Sequence, residues 1–175
     1  VNKPVNSLQA LFRSWLPQTA ASLDQRINTL ETLVERYPDI GWEVCMEQIR
    51  LNSTIGHYAY RPRWRNDASG AGQVATINEN NGFVKRCVEL LLLRKPQSAT
   101  TLGDLVEALK GLMVEHQDRV WDLIDEWSQD ANDSSKAKLR ERIRQYALTR
   151  RERSRNIPEQ VLDRSNQVYE NLQPT

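Results

Sequence analysis

Apolar residues recur at helical spacing along most of this 175-residue chain, and this pattern constrains its fold more than any other feature. Five apolar residues near the N-terminus share one helical face: Leu8, Leu11, Phe12, Trp15 and Leu16. No segment shows sustained alternation of apolar and polar residues, and Asn81-Gly82 lies inside a helical pattern instead of joining two β-rich runs. The chain is therefore predicted to be all-α.

Capping signals and prolines divide this pattern into seven to eight predicted helices. Ser22–Gln25, Thr76–Glu79 and Thr101–Asp104 are predicted helix starts, and Pro17 and Pro38 are predicted helix ends. The sequence shows no internal repeat at 30 to 50 residues. We expect one module over residues 1–175, either an irregular multi-helix bundle or a short stack of antiparallel helix pairs. Its most buried element is predicted to be the helix that contains Leu90–Leu93.

One long stretch, residues 52–75, interrupts the helical pattern. Its centre combines basic and aromatic side chains: His57, Tyr58, Tyr60, Arg61, Arg63, Trp64 and Arg65. Connections of this length are usually functional or disordered, and the aromatic content argues against a disordered linker. We therefore predict one long ordered loop that contacts a partner protein or an anion. In the alternative, Trp64 fills a groove between helices and the arginines cap helices or pair with acidic residues.

A second candidate surface lies near the C-terminus, where an acidic segment precedes a basic one. Residues 115–133 hold seven acidic residues and one arginine, whereas residues 136–155 hold nine basic and two acidic residues. Four arginines of the basic segment fall on one helical stripe: Arg140, Arg144, Arg151 and Arg155. Such a stripe is compatible with binding to nucleic acid, but we favour two solvated helix faces with i, i+4 ion pairs, because the adjacent acidic segment would repel a polyanion. The net charge of +1 provides no global attraction for a polyanion.

Histidine and cysteine, which are common in catalytic and metal sites, are rare in this sequence. There are two histidines and two cysteines, and neither a phosphate-binding loop motif nor a dinucleotide fingerprint is present around Gly70 and Gly72. We expect no catalytic residues, no metal, no cofactor and no membrane partner, and a cytoplasmic location. Cys45 and Cys87 lie among apolar residues of predicted helices, so we expect both to be buried and reduced.

Four segments carry a resemblance to known proteins: Ser14–Thr19, Asp39–Glu43, Tyr60–Arg65 and Arg140–Arg150. They resemble a helical region of very large bacterial multidomain proteins, some of which carry a Sir2-like or NTPase-type domain and are associated with phage defence. The resemblance implies a scaffold or sensor region, with any catalysis located elsewhere in the polypeptide.

The chain begins and ends between helical patterns, and we expect it to be a segment of a longer polypeptide. The predicted function is a non-catalytic scaffold or interaction module that positions neighbouring domains or recognises a protein partner. The alternative is a nucleic-acid-binding module that uses residues 57–65 and the basic helix at 136–155.

Overall fold

The computed structural model describes residues 4–50, 74–148 and 159–173 of the chain. These ranges contain helices and connecting turns without a β-strand, so the all-α multi-helix prediction is confirmed. The described ranges contain eight α-helices: α1 (Pro4–Leu11), α2 (Leu23–Arg36), α3 (Pro38–Ile49), α4 (Ile77–Leu93), α5 (Ala99–Ala108), α6 (Val114–Ser128), α7 (Asp133–Tyr146) and α8 (Glu159–Asn171). A short 3-10 turn, Leu109–Gly111, follows α5.

The Cα positions group into two compact units, Val1–Leu91 and Leu92–Thr175. The boundary between them falls in the last turn of α4. Unit 1 contains α1 to α3 and most of α4, and unit 2 contains α5 to α8. The prediction of a single module over residues 1–175 stays a prediction.

The core of unit 1 follows the apolar stripes of its helices. Helical spacing places four residues on one face of α3, and all four are buried: Trp42, Cys45, Met46 and Ile49. In α4, Phe83, Cys87 and Leu91 point into the same core. Because burying one large apolar side chain stabilises a fold by about 1.5–3 kcal/mol, these stripes supply much of the stability of unit 1.

The helices α2 and α3 meet at a sharp corner formed by one residue, Tyr37. Pro38 occupies the first position of α3, where its missing N–H costs no hydrogen bond. At Gly41, an added Cβ would lie 2.7 Å from both Cα and Cγ2 of Val34. The two helices therefore approach within backbone contact at this glycine.

Two of the three predicted helix starts are confirmed by reciprocal hydrogen bonds. The backbone N–H of Gln25 donates to Ser22 Oγ (3.3 Å), and the Ser22 N–H donates to Gln25 Oε1 (2.9 Å). Thr76 and Glu79 make the equivalent pair at the start of α4. The start predicted at Thr101 is wrong, because α5 begins at Ala99 and Thr101 instead closes a capping box with Ser98.

Several predicted boundaries and burials also differ from the structure. The first helix ends at Leu11, well before Pro17, although Leu16 beyond it is still buried. Leu93, in the run predicted to be the most buried, is 69% exposed because it ends α4, whereas Leu91 is buried. Helical spacing places Tyr37 on the apolar stripe that includes Leu30, yet Tyr37 is 57% exposed, since its non-helical backbone turns it away from that stripe.

In unit 2, α5 packs on α6 and α7, and α8 packs on α6 and α7. Helical spacing places five apolar residues on one face of α5 and its 3-10 turn, and all five are buried: Leu102, Leu105, Val106, Leu109 and Leu112. In α6 the same spacing places Trp127 on the inner face, but Trp127 is half-buried and Trp121 is fully buried. The last turn of α8 buries Val168, and the residue that follows α8, Leu172, is also buried.

Candidate functional site

The predicted contact residues of the long loop lie outside the described residues: His57, Tyr58, Tyr60, Arg61, Arg63, Trp64 and Arg65. Arg151 and Arg155 of the predicted arginine stripe also lie outside them. The role proposed for these nine residues, and the expectation that the loop is ordered, therefore stay predictions.

The structure describes the C-terminal end of the segment 52–75, where it joins α4. The backbone N–H of Ala75 donates to the carbonyl of Trp15 (3.1 Å), which ties this end to the chain after α1. Hydrogen bonds from Thr76 lower the pKa of the Glu79 carboxyl, and the nearby Arg26 charge lowers it further. Beside this cap, Val74 is 66% exposed and Ile77 is 79% exposed. We call these two side chains the α4 junction surface.

The two described arginines of the predicted stripe both have protein partners. The Arg140 guanidinium lies 4.2 Å from the ring centroid of Tyr169, and its Nε donates to the Tyr169 carbonyl (3.2 Å). Arg144 donates two hydrogen bonds to the carboxylate of Glu141 (2.9 and 2.6 Å), which lower the pKa of that carboxyl. Arg140 thus helps to hold α8 against α7, and Arg144 makes a pair within its own helix.

Basic and acidic side chains from different helices of unit 2 also form ion pairs. Arg164 of α8 pairs with Asp125 (2.7 Å) and Asp122 (3.2 Å) of the acidic helix α6. Arg142 of α7 lies across Gly103 of α5, where an added Cβ would come within 3.0 Å of its Nε. From there it pairs with the carboxylates of Asp104 and Glu107. Partly exposed pairs of this kind contribute little stability individually, but they set the register between helices.

The most unusual polar group among the described residues is Arg26, which sequence reasoning missed. Arg26 is only 4% exposed, and its guanidinium lies 5.0 Å from the ring centroid of Phe83. Phe12 also stacks on that ring, at a centroid distance of 6.4 Å. Arg26 Nε and Nη1, like Asn80 Oδ1, are buried and have no hydrogen-bond partner within the described ranges. Burial lowers the pKa of Arg26, and the Glu79 and Cys87 side chains oppose that shift.

A signal for this burial exists in the sequence. Arg26 follows Leu23 by three residues and precedes Leu30 by four, so it belongs to the same face of α2 as the apolar stripe. A pattern of hydrophobic residues alone does not include Arg26, because its side chain is charged. Helical spacing places it on this face of α2, next to the buried Leu30.

The two cysteines of the chain belong to the core of unit 1. Cys45 of α3 and Cys87 of α4 are both buried and free, as predicted. The side chain of Cys45 and burial raise the pKa of Cys87 well above its usual value. The positive charge of Arg26 opposes the shift.

Replacing Arg26 by methionine is expected to stabilise unit 1 by about 1 kcal/mol. Methionine keeps the length of the side chain and can contact the Phe83 ring through its sulfur, without two buried donors that lack partners. Replacing Arg26 by alanine is expected to destabilise the unit, because it also removes the packed aliphatic stem. Urea denaturation of the two variants measures both effects. A methionine variant less stable than wild type would show that the guanidinium is a net stabilising group.

No group of three or more His, Cys, Asp or Glu side chains in residues 4–50, 74–148 and 159–173 is arranged to hold a metal ion. None of the helices in these ranges is both long enough and apolar enough to cross a membrane. Comparison of the chain with protein-family models, curated proteins and solved structures finds no match. The resemblance to helical regions of large bacterial proteins accordingly stays a hypothesis.

Proposed function

We propose that this chain is a non-catalytic helical interaction module that positions neighbouring domains or recognises a protein partner. The observation that supports it best is the exposure of Val74 and Ile77 at the α4 junction surface. Both are large β-branched side chains, and they stand where the basic-aromatic segment 52–75 joins α4.

The chemistry of this surface favours a protein partner. Exposed aliphatic side chains gain free energy when a partner covers them, about 1.5–3 kcal/mol for one that becomes fully buried. Ile77 begins a capped helix, so its backbone position is already ordered before binding. The adjoining segment supplies three arginines, Arg61, Arg63 and Arg65. The complementary partner would carry an apolar patch bordered by carboxylates.

Binding to nucleic acid has less support from the described residues. Arg140 stacks on Tyr169, and Arg144 pairs with Glu141, so binding of phosphates would compete with existing contacts. Acidic residues of α6 lie in the same unit as these arginines and pair with Arg164 of α8. Binding to nucleic acid is therefore one outcome of the experiment below, and it would overturn the proposal.

Ile77→Glu is expected to weaken partner binding by about tenfold or more, since a charge replaces the apolar contact. A glutamate in the first turn of a helix is compatible with the helix dipole, so thermal stability should stay near that of wild type. Val114→Glu is the matched control, because Val114 is an exposed β-branched residue that begins α6.

The measurement is quantitative cross-linking and capture from cells of the source organism, followed by titration of each captured protein. A protein that binds wild type and Val114→Glu but not Ile77→Glu supports the proposal. Equal capture by all three forms contradicts the junction surface as the contact. Binding to a generic oligonucleotide that weakens steeply with added salt, without any protein partner, favours the nucleic-acid alternative instead.

A further inference from the structure

Asn81-Gly82 is the one asparagine–glycine pair of the sequence, and the structure places it inside α4. A glycine within a helix lowers its stability relative to alanine. An added Cβ at Gly82 would lie 3.5 Å from Leu23 Cδ2, an ordinary contact distance. The described contacts therefore do not require a glycine at this position. Asn81, the residue before it, is exposed to solvent.

We propose that Asn81 is a site of spontaneous deamidation in the native protein, and that the capping box of Thr76 and Glu79 controls the rate. Water is the only co-reactant. The proposal stands on the sequence of the pair, its exposure and its place near the start of α4, and it does not depend on the proposed interaction function.

The reaction balances in two steps. The backbone nitrogen of Gly82 attacks Cγ of Asn81 and forms a cyclic imide, while the Cγ–Nδ2 bond breaks and the amide leaves as ammonia with the proton of the Gly82 N–H. Glycine favours this step because it has no Cβ to hinder the approach of its nitrogen. Water then opens the imide at either of its carbonyls, which gives aspartate or isoaspartate. Nothing is oxidised or reduced.

The helix protects Asn81 as long as its first turns are closed. In an α-helix each backbone N–H donates to the carbonyl four residues earlier, and the helical ψ of Asn81 keeps the Gly82 nitrogen away from Cγ. The first turns of α4 must therefore open before the ring can form. Thr76 and Glu79 close these turns with two reciprocal hydrogen bonds (2.8 and 3.2 Å). Opening breaks both bonds, whereas Phe83 beyond the pair can stay in the core.

The two products affect α4 differently. Aspartate keeps the backbone, and its charge is compatible with the N-terminal end of a helix. Isoaspartate adds one methylene group to the main chain just before the buried Phe83, so it should interrupt the helical hydrogen bonds and lower the melting temperature. Asn81 follows Ile77 by four residues, so the new carboxylate lies on the same helix face. If the proposed interaction function also holds, deamidation should weaken partner binding.

The test incubates the purified full chain in mildly alkaline buffer and follows the peptide that contains Asn81 by mass spectrometry, with fragmentation that separates aspartate from isoaspartate. Wild-type protein should convert at Asn81 in native buffer, and in urea it should convert about tenfold faster or more, because α4 is then open. Thr76→Ala should accelerate conversion in native buffer by about fivefold, the effect of removing one helix cap. Asn81→Asp should keep a melting temperature near that of wild type, which separates the effect of charge from that of isoaspartate.

Ser22→Ala is the matched control, because it removes the equivalent cap of α2 in the same unit and should leave conversion at Asn81 near the wild-type rate. Gly82→Ala should slow conversion both in native buffer and in urea. The proposal is overturned if Asn81 keeps its amide in native wild-type protein while the protein in urea converts, or if the two cap variants accelerate conversion equally. These measurements require no partner, so their failure is distinct from failure of the proposed function.

Discussion

Phe83→Ala is expected to lower the free energy of unfolding of unit 1 by about 4 kcal/mol, the largest effect of any single change considered for this protein. Phe83 is fully buried, stacks on Phe12 and lies against the Arg26 guanidinium. Truncation to alanine therefore leaves a cavity and also removes the aromatic face that compensates a buried cation. Urea denaturation measures the loss, and hydrogen exchange of α2 to α4 locates it.

The control for Phe83→Ala is Ile77→Ala, which truncates a large apolar residue of the same helix at a position that is exposed. Its effect on stability should stay within about 0.5 kcal/mol. A second comparison repeats Phe83→Ala in the Arg26→Met background. The cost should then be smaller by about 1 kcal/mol, because the cation that Phe83 compensates is gone. Equal costs in the two backgrounds would show that the Arg26–Phe83 contact contributes no net free energy.

Gly41→Ala is expected to destabilise unit 1 by about 3 kcal/mol, although alanine is the better helix former. The added methyl group would lie 2.7 Å from Cα and Cγ2 of Val34, so α2 and α3 would have to separate. The double variant Gly41→Ala with Val34→Ala should recover only part of the loss, because the Val34 Cα stays in place. Complete recovery would show that the clash involves the side chain alone. Thermal and urea denaturation provide the measurement.

Gly82→Ala is the matched control for Gly41→Ala. Gly82 lies within α4, and its added Cβ would be 3.5 Å from Leu23 Cδ2, an ordinary contact distance. Alanine should therefore stabilise the protein at this position by about 0.5–1 kcal/mol through helix propensity. If both alanine variants were equally destabilised, the close approach of α2 and α3 at Gly41 would not be the cause.

Features that depend only on residues close together in the sequence were predicted well. The α3 stripe of Trp42, Cys45 and Met46 is buried because helical spacing places those residues on one face. The cap at Thr76 forms because its partner Glu79 is three residues away. Predictions failed where helix ends or corners depend on packing, as at Tyr37 and Leu93, which are exposed despite their apolar character.

The candidate site residues show the same difference between local features and features that depend on tertiary packing. For Arg140 and Arg144 the charge pattern left open a stripe that binds nucleic acid or helix faces with ion pairs, and the structure gives them partners at Tyr169 and Glu141. The partner of Arg140 comes from α8, and no local rule relates that residue to α7. The exposure of Ile77 likewise depends on which residues of α4 are covered by other elements of the fold, since an isoleucine at a helix start is buried in many folds.

The sequence by itself determined that this protein is all-α, where most helices lie and which stripes face inward, because hydrogen bonds and side-chain spacing within a helix are local. Only the tertiary structure decided that Arg26 is buried against Phe83 and that α2 and α3 touch at Gly41. Each of those contacts joins different helices, and their geometry follows from how whole helix faces pack in three dimensions.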